Sequence, residues 1–299
     1  NGLIPINGIT AISGAPGAYK SWFALYIAVQ AARGGTFLKD DSPMKKVGTF
    51  YIDEENGERL NQDRIKGLSK EKDLNIHFAI YNSIKFTKDY IDLIINYMKV
   101  NNLNIVIFDS FVRFLNNHDE NSSRDISQIK DLFTKLLLEG FTVIFLHHHR
   151  KENGLGKTIL NEKMRGSTDL LAMVNSHIVL EKQDGIMVVE HNKMREAKPA
   201  LPFKIEIKEQ EDKSVNFEYC NLSDIEIMGR NKEIQQKIIN ILKESMDKLD
   251  VKQITEKAGL YEKYVRASLK TLENSEIIKS EETGKNHKKI YWYNELFNL

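Results

Sequence analysis

Lys20 and Ser21 follow a Gly/Pro turn, Gly14-Ala15-Pro16-Gly17-Ala18-Tyr19, which itself follows the apolar run Ile9-Thr10-Ala11-Ile12. Trp22, Phe23, Leu25, Ile27 and Ala28 then continue the chain at helical spacing. A strand that breaks into such a turn and opens a helix is the setting of a phosphate-binding loop. Successive backbone N–H groups and a helix N-terminus form a concave anion site. Residues 14–22 are therefore the expected nucleotide cradle, with Lys20 reaching the β- and γ-phosphates and the Ser21 hydroxyl holding Mg²⁺. One position departs from the pattern G-x-x-x-x-G-K-[ST]. Tyr19 stands where glycine is expected, and a side chain there restricts the backbone as it wraps the phosphates.

Such a loop needs a carboxylate to orient the Mg²⁺ shell, and Asp109 closes the apolar run Ile105-Val106-Ile107-Phe108. Hydrolysis also needs a group that orients or deprotonates the attacking water. Asp53, Glu54 and Glu55 cluster at the end of the run Val47–Ile52; Glu55 is the choice, and the other two stay open. His147, His148 and His149 end the run Phe141–Leu146. Adjacent residues of a strand face opposite ways, so joint chelation by all three is awkward. Cys220 is the single cysteine, and without a clear fourth ligand zinc is not expected.

The elements that position these groups alternate. Apolar strand runs near residues 9–12, 47–52, 76–80, 103–108 and 141–146 are separated by helical periodicities. One such face is Ile126, Ile129, Leu132, Phe133, Leu136 and Leu137, capped by Ser122 with Asp125. This alternation implies βαβ units in an α/β fold with a mainly parallel, covered sheet. From Ser176 the texture changes to short strands near 178–180, 186–189, 203–207 and 215–219, read as an antiparallel extension of that sheet. A core over residues 1–222 is expected, then a linker over 223–230 and a second domain over 231–299.

The second domain reads as a small α+β winged helix-turn-helix. Ile234, Ile238, Ile241 and Leu242 share one helix face, Asp250 with Gln253 forms a capping box ahead of Gly259, and Val265, Leu269 and Leu272 mark a third helix. Two strands around Thr283-Gly284-Lys285-Asn286 complete it. Its net charge is only +2, but Lys263, Arg266 and Lys270 share the exposed side of the third helix. Lys288 and Lys289 load the wing. Those residues would meet duplex DNA, although a winged helix also serves protein docking.

At 299 residues and a net charge of +1, global charge makes no argument for nucleic acid, and two domains are expected. No apolar run approaches the ~18 residues of a membrane span. A cytoplasmic protein without a membrane partner is expected, and one cysteine fits a reducing compartment. The chain opens on Asn1 and reaches the phosphate loop almost at once, so an upstream part is expected to be missing.

Four segments occur in order: Tyr51-Ile52-Asp53-Glu54-Glu55, Ile107-Phe108-Asp109-Ser110-Phe111-Val112-Arg113-Phe114, His147-His148-His149-Arg150-Lys151 and Arg165-Gly166-Ser167-Thr168. With the phosphate loop, this set resembles the RecA-like ATPase core of RepA-type hexameric replicative helicases, within the DnaB-like superfamily. The resemblance spans roughly the first two-thirds of the chain. It implies that Lys20 and Ser21 are the Walker A pair, Asp109 the Walker B acid and Glu55 the catalytic base. His147 or His148 would sense the γ-phosphate and couple it to a DNA-facing loop. Lys193 and Arg195, a Lys-x-Arg pair, would reach a neighbouring subunit's nucleotide, which requires a head-to-tail ring.

The basic stretch carrying Lys151, Lys157, Lys163 and Arg165 would line a central channel and track single-stranded DNA. Relatives also carry bulky residues before the Walker A lysine, so Tyr19 is compatible with the family. The expectation is an ATP- and Mg²⁺-dependent, ring-forming DNA helicase or replication ATPase, and the resemblance implies a hexameric ring. The alternatives are a RecA/RadA-like recombination or DNA-loading ATPase and a nucleotide-binding DNA-binding regulator.

Overall fold

Continuous apolar runs, rather than alternating ones, mark strands covered on both faces, and the strands at the centre of this protein are of that kind. The computed structural model describes residues 2–38, 45–116, 118–148, 168–183, 186–212, 214–221, 224–245, 247–260, 262–283 and 288–294. The chain divides into an N-terminal unit that runs to Asn221 and a C-terminal unit from Leu222.

The described strands of the N-terminal unit form one sheet in the order β3-β2-β4-β5-β1-β6-β7-β8-β9. Its parallel part comprises β1 (Ile9–Gly14), β2 (Gly48–Asp53), β3 (Ile76–Ile80), β4 (Leu103–Asp109), β5 (Thr142–His148) and β6 (Ser176–Gln183). The antiparallel part adds β7 (Ile186–Met194), β8 (Phe203–Glu209) and β9 (Val215–Asn221). The expected antiparallel extension is present, with one difference: β6 pairs parallel with β1 and only then turns back into β7.

Parity along the strands divides the core in two. Ile9, Ala11, Phe50, Ile52, Val106, Phe108, Val143 and Phe145 face α3 (Lys88–Val100), α5 (Ser123–Leu138) and α6 (Thr168–Met173). Ile12, Tyr51, Ile107, Ile144 and Leu146 face α1 (Lys20–Arg33), with Ile65 and Leu68 of α2 (Glu58–Leu68) packed against them. The first layer is rich in aromatics: Phe86 meets Phe108, Phe133 and the short α4 (Phe111–Phe114) with centroids 5.1–5.4 Å apart. Removing one such ring costs about 3–5 kcal/mol.

In the C-terminal unit the order is α7 (Asp224–Glu244), β10 (Leu249–Asp250), α8 (Val251–Ala258), α9 (Glu262–Asn274), β11 (Ile278–Thr283) and β12 (Lys288–Tyr293). The described strands form a sheet β10-β12-β11. Its core joins Ile238, Leu242, Ile254, Val265, Leu269, Leu272 and Ile278. The capping box of Asp250 and Gln253 is formed, and Gly259 ends α8 in the left-handed conformation. Residues 224–230, expected as linker, belong to α7. Gly229 costs roughly 1 kcal/mol in a helix interior, which a 21-residue helix absorbs. Among the described residues no helix is long and apolar enough to cross a membrane.

Candidate functional site

The phosphate loop leaves β1 at Gly14 and returns as α1 at Lys20. Glycine at position 14 is a packing requirement, since a Cβ there would lie 2.6 Å from the Leu180 carbonyl oxygen of β6. Gly17 has φ +79° and open space around it. Tyr19 caps α1 with φ 61° and ψ 19°, the left-handed conformation that glycine adopts at no steric cost. Its ring packs against the α1-side core, with the Lys182 ammonium 5.0 Å from the ring centre. Tyr19 provides no side-chain cap, so the first-turn N–H groups of α1 remain directed at the loop.

Lys20 is buried, and its Nζ donates to the carbonyls of Gly14 at 3.0 Å and Ala15 at 2.9 Å. Burial lowers its pKa to about 8, while the carboxylates of Asp109 and Glu55 pull the other way. Asp109 ends β4 and is pushed up to about 6, first by burial and then by the charge of Asp53. Hydrogen bonds from Ser21 and Tyr51 oppose that rise. Tyr51 donates to Asp109 Oδ2 at 2.8 Å.

The three acids at the end of β2 make separate contacts. Asp53 is fully buried, and its Oδ1 accepts from the backbone N–H of Glu55 at 2.8 Å and of Asn56 at 2.7 Å. Its Oδ2 accepts from Asn61 Nδ2 at 2.8 Å. Glu54 Oε1 accepts from Ile84 N–H at 2.9 Å. Both shape the turn. Glu55, half-buried, accepts at Oε2 from Ser110 Oγ at 2.6 Å and from His148 Nε2 at 3.0 Å. Those hydrogen bonds, the His148 one foremost, hold it down to about 2. Tyr81 Oη donates to the Glu55 carbonyl at 2.8 Å.

Strand parity separates the two histidines. His148 follows Ile144 and Leu146 onto the α1 face, where it meets Glu55. His147 follows Val143 and Phe145 onto the opposite face, where its Nε2 lies 3.2 Å from Glu120 and its ring 6.0 Å from that of Phe111.

Three residues to which the sequence assigned no role stand beside the site. Tyr51 and Ser110 bond the two acids directly. Arg64 of α2 places its guanidinium 5.8 Å from the Trp22 ring centre, and its buried Nε and Nη1 have no hydrogen-bond partner among the described residues. A tyrosine inside an apolar strand reads as core. The only signal for Ser110 was its adjacency to Asp109, and for Arg64 none.

Lys193 and Arg195 are not part of this constellation. Through the β1–β6–β7 register they stand level with Ile9–Ala11, roughly 10–16 Å along the strands from Gly14. There they donate to the carbonyls of Leu171 and Ala172 at the C-terminus of α6. Burial lowers the Lys193 pKa to about 8. Lys151, Lys157, Lys163 and Arg165 lie outside the described residues, as does His149.

In the C-terminal unit, Arg266 pairs with Glu262 at 2.6 Å and Lys289 with Glu273 at 3.1 Å. Lys270 is exposed on α9. Lys263 lies on α9 and Lys288 opens β12.

The residues fit a magnesium nucleotide. Among the described residues Lys20 donates only to its own loop, and three carboxylates crowd a buried corner where Asp109 already resists ionisation. A divalent cation between Ser21 and Asp109 would relieve that crowding. No curated protein matches the chain. Residues 1–154, just over half of the chain, match the family of the AAA domain, and the chain belongs to that family of P-loop NTPases, of the AAA/RecA-like type.

Proposed function

We propose that the protein is an ATPase that couples hydrolysis to movement on DNA, as a ring-forming helicase or replication ATPase. The observation that carries this reading is the approach of Glu55 and His148 beside Lys20 and Asp109. Their proximity supports a base and a sensor on one side of the sheet. Lys20 and the N-terminus of α1 bind the phosphates, and Ser21 and Asp109 hold Mg²⁺, which when bound neutralises phosphate charge. Glu55 takes the proton of the attacking water as its oxygen bonds the γ-phosphorus. The bond to the bridging oxygen breaks, and ADP leaves with the electron pair. His148, at the end of β5, is the sensor that reports the γ-phosphate.

Lys193 and Arg195 serve a neighbouring subunit's nucleotide, since they stand at the far end of the strands from their own loop. The helix–strand–helix–helix–hairpin order of the C-terminal unit supports a winged helix that binds duplex DNA. Lys151, Lys157, Lys163 and Arg165 are the channel contacts for single-stranded DNA.

The test is ATP hydrolysis with and without single-stranded DNA, coupled to a size measurement. Stimulation by DNA and growth to a ring, both abolished by Lys20→Ala, are expected. An unchanged rate in Lys20→Ala overturns the enzymatic reading. Strand displacement on a forked duplex distinguishes a helicase from a loading or recombination ATPase.

A further inference from the structure

We propose that Ser110 is a positioning residue that aims Glu55 at the attacking water. It ties one carboxylate oxygen and leaves the other free for the proton. This rests on the reading of Glu55 as the group that activates water.

Ser110 directly follows the metal-binding candidate Asp109, at the C-terminal end of β4. It is completely enclosed, and its carbonyl accepts from Arg113 N–H at 2.9 Å as α4 begins. Its position is therefore set by the core rather than by solvent. From there Oγ donates to Glu55 Oε2 at 2.6 Å.

His148 donates to the same oxygen. A carboxylate held by one donor can still swing about its terminal torsion, which is broad and roughly two-fold. Two donors converging on Oε2 fix that torsion. Oε1 then has no hydrogen-bond partner among the described residues.

The two donors differ in permanence. The His148 side chain is about one-third exposed, at 32%, and stands at a strand end where an incoming phosphate competes for it. Ser110 has no solvent-facing alternative, so it still tethers Oε2 when His148 turns away, which narrows the swing without His148. Consecutive residues of one strand end would thus serve two ends of the reaction, Asp109 for the metal and Ser110 for the base. Such a constraint preserves a near-attack geometry, where small misplacements are costly in rate.

Steady-state hydrolysis of Mg-ATP by the full chain, with nucleotide affinity measured separately, provides the test. Ser110→Ala is expected to lower kcat about tenfold, a fraction of the roughly 10²–10⁴-fold that a positioned base contributes, with KM and nucleotide affinity within about twofold of wild type. Ser110→Cys, which keeps the volume and a weak donor, gives an intermediate kcat. If the alanine variant fails to fold, the cysteine variant carries the same split of kcat against KM.

In a Glu55→Gln background, Ser110→Ala causes no further loss. An unchanged kcat in Ser110→Ala, an equal loss in both backgrounds, or a parallel loss of nucleotide affinity overturns the role of Ser110. Wild-type hydrolysis by Glu55→Gln overturns the reading of Glu55 instead, whatever Ser110→Ala does.

Discussion

Tyr51 and Asp109 are joined by a hydrogen bond of 2.8 Å in which the tyrosine is the donor. Burial and the nearby carboxylates of Asp109 and Asp53 raise the Tyr51 pKa well above its usual value, so it remains a donor across the accessible pH range. The bond favours the ionised form of an acid that burial pushes up to about 6. Mg²⁺-dependent nucleotide binding is therefore expected to weaken as pH falls through about 6, because the proton competes with the metal. In Tyr51→Phe the midpoint moves to higher pH. Nucleotide titrations from acid to neutral pH, with and without Mg²⁺, read both effects.

The same acid costs stability in the ligand-free protein. Its folded pKa of about 6 exceeds the ordinary value of 3.8, so the folded state keeps its proton longer than the unfolded state. Stability falls as pH rises between those values, and the cost, up to about 3 kcal/mol, is complete above them. Asp109→Asn should raise the ligand-free Tm by about 5 °C at neutral pH and leave it nearly unchanged near pH 4. The variant should lose Mg²⁺-dependent hydrolysis at the same time.

Lys20 makes a proton-linked prediction. Its pKa of about 8 in the free protein must rise when phosphate oxygens replace the loop carbonyls. Nucleotide binding near that pH should take up about half a proton per site. Calorimetry in buffers of different ionisation enthalpy measures the uptake. It should vanish in Lys20→Ala.

The far-end placement of Lys193 and Arg195 predicts complementation. Lys20→Ala and Arg195→Ala, each inactive alone, should regain a measurable fraction of hydrolysis when mixed. One of the mixed interfaces then joins an intact phosphate loop to an intact Lys-x-Arg pair. Mixing that restores nothing counts against action across an interface.

On α9, Lys270 and Arg266 should differ in their worth to DNA. Arg266 is already paired with Glu262, whereas Lys270 is exposed. Lys270→Glu should weaken duplex binding about tenfold and flatten its salt dependence. Glu262→Ala should strengthen binding by freeing Arg266. Fluorescence anisotropy over a salt series reads both variants.

Much of the site was legible because its groups end apolar strands. Asp109 and His148 stand where β4 and β5 run out, and the sheet brings those ends beside Gly14. What stayed hidden depended on contacts between elements. Glu55 was the choice from sequence, but setting Asp53 and Glu54 aside needed the turn hydrogen bonds that occupy them. Separating His147 from His148 needed the pairing of β5 with β1, which fixes the face each one takes. The parallel pairing of β6 was hidden because a short apolar strand does not reveal its partner's direction. The helical start of α7 escaped because a composition change near Ser223 resembles a linker whether or not the backbone coils.

The turn of β7 back against β6 leaves the phosphate loop at one end of the strands and the Lys-x-Arg pair level with the other. With the pair acting across an interface, a lone chain holds no complete site and an open row of n copies holds n − 1. Only closure gives every chain one. Hydrolysis per chain should therefore rise steeply with protein concentration and then level off, a dependence that a self-sufficient site would not show.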